Sequence, residues 1–102
     1  MDALRAIAEP RRQQILRLLV DGEMPAGRIA EHFDVSRPAV SQHLHVLLEA
    51  GLVSERKLGR QRLYQVRPES LEQLRQFIGE FWDDALSRLS RAAEAEQRRR
   101  EV

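Results

Sequence analysis

The side chains that could bind a polyanion are concentrated in the middle third of the chain. Residues 36–67 hold six basic and two acidic residues, whereas residues 1–35 hold five and six, and residues 68–102 hold six and eight. The basic residues of the middle segment are Arg37, Arg56, Lys57, Arg60, Arg62 and Arg67. Because a local positive surface attracts polyanions even when the net charge is only +1, this segment indicates nucleic-acid binding.

Other chemistry finds little support in the sequence. Cysteine is absent, which excludes thiol nucleophiles, thiolate metal sites and disulfides. Ser41 and His43 are two positions apart, so they would not face each other on a helix, and the chain has no phosphate-binding glycine loop. Asp83 and Asp84 alone are weak ligands for a transition metal. We therefore expect neither an enzyme nor a metal or cofactor site.

The length and composition predict one small folded domain. A chain of 102 residues has room for a single core, and 42% hydrophobic residues are enough to form it. The first twelve residues include Asp2, Glu9 and Pro10 and have no long apolar run, so they resemble neither a signal peptide nor a membrane span. We expect a soluble cytoplasmic protein.

Three helices are predicted in the first half of the chain. Pro10 opens a helix that ends near Val20, and a short second helix carries Ile29, Ala30 and Phe33 on its inner side. The third helix spans residues 36–50, with Ser36 as its N-cap and Gly51 at its end. A short helix, a tight turn and a longer capped helix favour a helix-turn-helix over an ordinary helical hairpin.

A β-hairpin is predicted to follow the third helix. Leu52 and Val53 form one extended run, residues 63–66 form the other, and the basic stretch 55–62 between them is the expected tip. The basic residues could simply keep the hairpin soluble and protect its edge. After a helix-turn-helix, however, residues 53–66 are better interpreted as a wing.

A long amphipathic helix is predicted after Pro68. Its apolar positions are Leu71, Leu74, Ile78, Phe81, Trp82, Ala85 and Leu89. We expect the part with Phe81, Trp82 and Leu89 to pack on a second copy of the chain, the alternative being that Trp82 lies in its own core. A membrane-surface helix is disfavoured because the polar face is acidic. The domain is expected to span residues 1–91, followed by a polar helix end or tail, 92–102, that frays.

The segment VSRPAVSQHLHVLLEAGLV, residues 35–53, together with the basic wing, resembles the ArsR-type winged helix-turn-helix repressors, and the resemblance spans about residues 4–89. It implies a mainly α-helical fold with a small hairpin and a homodimer on a palindromic DNA operator. The first and last helices would form the dimer interface, through Leu4, Ile7, Leu74, Ile78, Phe81, Trp82, Ala85 and Leu89.

The predicted DNA-binding residues are Ser36, Arg37, Pro38, Ser41, Gln42, His45, Arg56, Lys57, Arg60 and Arg62. Among them Arg37, Ser41, Gln42 and His45 would read base edges, and the wing cations would bind phosphate or the minor groove. Ser36 has a capping role as well.

The metal-sensing sites of the family have no match here. The stretch 29–34 reads IAEHFD instead of offering cysteines, and all three histidines, His32, His43 and His45, precede the wing. We expect His43 to be a half-buried packing or hydrogen-bonding residue and His32 to be solvated. The closest subtype is a short repressor without metal sensing, whose inducer is a small organic molecule, a membrane-protein partner or none identified. A winged helix used only for protein contact, or a metal-responsive repressor with an atypical site, is the alternative.

Overall fold

The computed structural model describes residues 2–101, which contain five helices and three strands. In chain order these are α1 (Asp2–Ile7), α2 (Pro10–Leu19), β1 (Met24–Pro25), α3 (Ala26–Ala30), α4 (Arg37–Glu49), β2 (Val53–Leu58), β3 (Gln61–Val66) and α5 (Pro68–Arg100). The predicted domain and tail also include Met1 and Val102, which lie outside the described residues.

The ends of α4 follow the sequence signals. The Ser36 hydroxyl accepts a hydrogen bond from the Ala39 N–H at 3.3 Å, as an N-cap does. After Glu49 the chain turns through Gly51, whose φ of 75° lies in the left-handed region, and the Leu52 N–H donates to the Leu47 carbonyl at 3.0 Å. The predicted helix 36–50 is confirmed, with residues 36 and 50 as its caps.

The second predicted helix is shorter than expected. α3 ends at Ala30, and Phe33 lies in the turn that follows, where its N–H donates to the Ala30 carbonyl at 3.1 Å. Ile29 is fully buried, whereas Phe33 is only half-buried. Placing Phe33 on the helix was therefore wrong, because the chain leaves the helix one turn earlier.

The hairpin strands extend into the stretch expected to be the tip. β2 and β3 pair antiparallel from Val53↔Val66 to Leu58↔Gln61, so the turn consists of Gly59 and Arg60 alone. β1 adds a third strand by pairing with β3, and the sheet order is β1-β3-β2. The tip predicted at 55–62 is thus corrected to Gly59 and Arg60, because the other residues of this stretch pair across the two strands.

One core holds the helix-turn-helix and the sheet together. Its fully buried side chains come from α2, α3, α4 and the start of β2, and they are Ile15, Ile29, Val40, Leu44, Leu47, Leu52 and Val53. α1 is tied to α2 by side-chain donors: the Arg12 guanidinium donates to the Ala6 carbonyl at 2.6 Å, and the Gln13 amide to the Ile7 carbonyl at 2.7 Å.

α5 continues to Arg100, so the polar segment after Ala92 is the end of this helix. Acidic and basic side chains three or four residues apart pair in its last turns, including Arg98 with Glu94 and Arg99 with Glu96. Fraying of this segment stays a prediction. The chain divides into two compact units, 1–71 and 72–102, and a single domain over 1–91 stays a prediction. None of the described helices is long and apolar enough to cross a membrane.

Replacement of the core residue Leu47 is expected to destabilise the fold strongly. Leu47 is 0% exposed, so Leu47→Ala removes buried methyl groups and leaves a cavity, at a cost of about 2–5 kcal/mol. Leu58, at 54% exposure, is the matched control, and Leu58→Ala should change the free energy of unfolding by no more than about 0.5 kcal/mol. Urea unfolding at one protein concentration measures both, and equal losses would contradict this account of the core.

Candidate nucleic-acid interface

The side of α4 away from the core is exposed and polar. Val40, Leu44 and Leu47 are buried, and these positions leave the other side of the helix in solvent. That side carries Pro38, Ser41, Gln42 and His45, all of them exposed and all predicted from the sequence as DNA-binding residues. The core therefore fixes which side of α4 is available to a partner.

A groove of about 500 Å³ lies beside this side of α4. It is bounded by α3, α4 and the end of the hairpin, all within residues 1–71. Four arginines line it, Arg28, Arg37, Arg60 and Arg62, together with Ser41 and Tyr64. Glu31 also lines the groove, but among residues 3–101 no carboxylate lies within ion-pair distance of Arg28, Arg37 or Arg60, so the groove has an excess of positive charge.

Two of the predicted wing cations are held by acidic side chains. The Arg56 guanidinium donates two hydrogen bonds to the Glu23 carboxylate, one of them at 2.9 Å, and this contact lowers the pKa of Glu23 and raises that of Arg56. The Arg62 guanidinium donates to Glu55 at 3.1 Å. Burial and the neighbouring Glu55 raise the pKa of Tyr64. Lys57 and Arg60 have no such partner among residues 3–101, so they are the wing cations that are free to bind an anion.

The histidines occupy three different settings. His45 is exposed on α4 and lies 2.9 Å from the Glu49 carboxylate one turn later. His43 is half-buried, with its ring 3.3 Å from the Arg12 guanidinium and 3.8 Å from Glu9, which confirms its predicted structural role. His32 is exposed, as predicted. Within the described part of the chain, no three His, Cys, Asp or Glu side chains are grouped so that they could hold a metal ion.

Sequence reasoning missed Arg28 as a site residue. It lies on α3, the first helix of the helix-turn-helix, and lines the groove beside Arg37. The available signal was its position: the first helix of this motif crosses the DNA backbone, so a basic residue there can contact phosphate.

The predicted dimer residues differ in exposure. Leu4 and Ile7 of α1 and Ala85 of α5 are half-buried, whereas Ile78, Phe81, Trp82 and Leu89 are exposed, Phe81 by 62% and Trp82 by 60%. Leu74 is 3% exposed. The assignment of these residues to a partner surface stays a prediction.

Comparison with known proteins identifies the family. The family model described as "Bacterial regulatory protein, arsR family" matches residues 9–55. An HTH-type transcriptional regulator of Mycobacterium tuberculosis is 40% identical over 94 residues, which cover 92% of this chain and 88% of that protein. The chain belongs to the ArsR family. The ArsR-family chain is also 39% identical to the transcriptional repressor SdpR of Bacillus subtilis over 71 residues, 70% of this chain and 79% of that one.

Solved structures agree with this assignment. The crystal structure of a "possible transcriptional regulator for arsenical resistance" matches with a TM-score of 0.79 and 49% identity over 87% of this chain and 93% of that one. The predicted resemblance and the mainly helical winged-helix fold are confirmed. As a member of the ArsR family, the protein is a sequence-specific DNA-binding transcriptional regulator and not an enzyme.

Release of Arg56 from Glu23 is expected to strengthen DNA binding. Glu23→Gln removes the carboxylate that holds this guanidinium, so Arg56 can bind a phosphate. One added phosphate contact should steepen the dependence of log K on log salt by about 0.9. Fluorescence anisotropy with an arbitrary duplex at several salt concentrations measures the slope.

Asp21→Asn is the control for this prediction. Asp21 is exposed in the same segment and has no ion-pair partner among residues 3–101, so its loss removes a negative charge without freeing an arginine. An equal change of slope in the two variants would mean that Arg56 does not move to the DNA.

Proposed function

We propose that the protein is a homodimeric repressor whose α4 enters the major groove of a palindromic operator. The observation that carries the proposal is the exposed polar side of α4 next to a groove lined by four arginines. The second helix of a helix-turn-helix binds in this way, and the hairpin beside it reaches the flanking backbone. The similarity to a named repressor, SdpR of Bacillus subtilis, supports repression, which would follow when the bound protein blocks a promoter.

The base-reading residues would be Arg37, Ser41, Gln42 and His45. Arg37 can pair bidentately with guanine and Gln42 with adenine, each contributing roughly 1–3 kcal/mol of discrimination. Arg37, Ser41 and Gln42 are exposed on α4, and their side chains make no hydrogen bond among residues 3–101. His45 must first leave Glu49, or bind DNA through its other ring atoms.

The phosphate-binding residues would be the cations at the groove and the wing. Arg28, Lys57 and Arg60 are free of ion pairs among residues 3–101 and can bind phosphate directly. Arg56 and Arg62 would exchange a carboxylate for a phosphate. Ser36 caps α4 and Pro38 lies in its first turn, so both would lie near the DNA backbone that flanks the major groove.

Substitution of one phosphate contact and one base contact separates these roles. On a duplex selected from a random pool, Arg60→Ala should weaken binding to all sequences similarly and flatten the salt slope by about 0.9. Gln42→Ala should lower discrimination at one base pair by roughly 1–3 kcal/mol and leave the slope unchanged. Anisotropy titrations measure both. If Gln42→Ala weakened all sequences alike, Gln42 would contact the DNA backbone and would not read a base.

The homodimer would form through the exposed apolar row of α5. Ile78, Phe81, Trp82 and Leu89 present large apolar side chains to solvent in a single chain. Such a row is typical of an interaction surface, and a two-fold axis would let the same row pair with itself. Two α4 helices could then reach successive major grooves roughly 34–36 Å apart.

A charge within this row is expected to separate the protomers. Phe81→Glu should raise the dimer dissociation constant by at least about tenfold, since it buries a carboxylate in an apolar contact. Gln76→Glu adds the same charge at an exposed polar position of α5 and should leave the dimer intact. Sedimentation velocity over a concentration series distinguishes the two, and an undisturbed Phe81→Glu dimer would place the interface elsewhere.

A further inference from the structure

Gly27 and Arg37 make an unusually close contact inside the arginine-lined groove. A Cβ atom on Gly27 would lie 3.0 Å from Nη2 of Arg37 and 3.6 Å from its Cζ. The Arg37 guanidinium therefore packs against the backbone of α3 in space that any other residue at position 27 would fill. Both residues line the groove next to Ser41, a predicted base-reading residue.

The backbone does not require a glycine at this position. Gly27 lies within α3 and is absent from the glycines with positive φ, which are Gly22, Gly51 and Gly59. A glycine within a helix lowers the stability of the fold relative to an alanine. The missing side chain at position 27 leaves room for Arg37 on the groove side of α3.

Little else holds the Arg37 side chain. It is exposed and makes no hydrogen bond or ion pair with residues 3–101, although an arginine has many conformations to lose when it binds. Base readout through a bidentate contact needs the guanidinium in one orientation. The place beside α3 is open to the guanidinium because position 27 has no side chain, since a Cβ there would force the guanidinium to shift.

We propose that Gly27 is a positioning residue that determines specificity by setting the orientation of Arg37 in the groove. This inference rests on the proposed function, in which Arg37 reads a base. A bidentate arginine contact contributes roughly 5- to 150-fold discrimination. A methyl group at position 27 shifts the guanidinium and lowers that factor at the base pairs that Arg37 reads and at no others.

The test measures discrimination at each base pair of the half-site in turn. Anisotropy titrations use the duplex selected by the natural protein and a panel with one symmetric base-pair change per duplex. Gly27→Ala is expected to lose at least about threefold discrimination at the positions affected by Arg37→Ala. The salt slope and the thermal midpoint should not fall. In the Arg37→Ala background, Gly27→Ala should have no further effect.

Gly79→Ala is the matched control, because a Cβ at that helical glycine meets nothing within 4 Å. It should leave discrimination unchanged at every position. The inference is overturned if Gly27→Ala discriminates like the natural protein or weakens all positions equally. It is also overturned if Gly27→Ala still has a cost without Arg37, since Gly27 would then act by direct approach to the DNA backbone. Failure of the natural protein to select any duplex would instead contradict the proposed function itself.

Discussion

The burial of one side of α4 is the constraint on which the rest of the structure depends. Val40, Leu44 and Leu47 are almost completely buried against the helices and the start of β2, so α4 cannot rotate without exposing them. This packing fixes Ser41, Gln42 and His45 in solvent and turns Arg37 toward the groove. The hydrophobic effect therefore determines which side chains of α4 are available for the proposed DNA contacts.

The distribution of charge is set by pairing as well as by composition. The middle third of the chain carries an excess of basic residues, but Arg56 and Arg62 are partly neutralised by Glu23 and Glu55. The groove cations without an ion pair among residues 3–101 are Arg28 of α3, Arg37 in the first turn of α4 and Arg60 in the hairpin turn. In the proposed complex these acidic partners would limit non-specific attraction to DNA, which depends on the number of phosphates contacted, and would leave base contacts a larger share of the affinity.

Local signals predicted the central elements, and long-range contacts explain what was missed. Ser36, Pro38 and Gly51 mark the ends of α4 in the sequence itself, so this helix was predictable. β1 has only two residues and exists because Met24 and Pro25 pair with Tyr64 and Leu63 of β3. The Glu23–Arg56 pair likewise depends on the folded arrangement, for which the sequence contains no local pattern.

The measurement that tests the central claim most directly is a selection from random duplexes with the purified protein. Anisotropy titrations of the selected duplex and of a scrambled duplex at two salt concentrations complete it. The account predicts an inverted repeat with half-sites one helical turn apart, bound at least ~1000-fold more tightly than the scrambled duplex. Equal, weak and salt-sensitive binding to both duplexes would contradict it, because the contacts of α4 with base edges would then be absent.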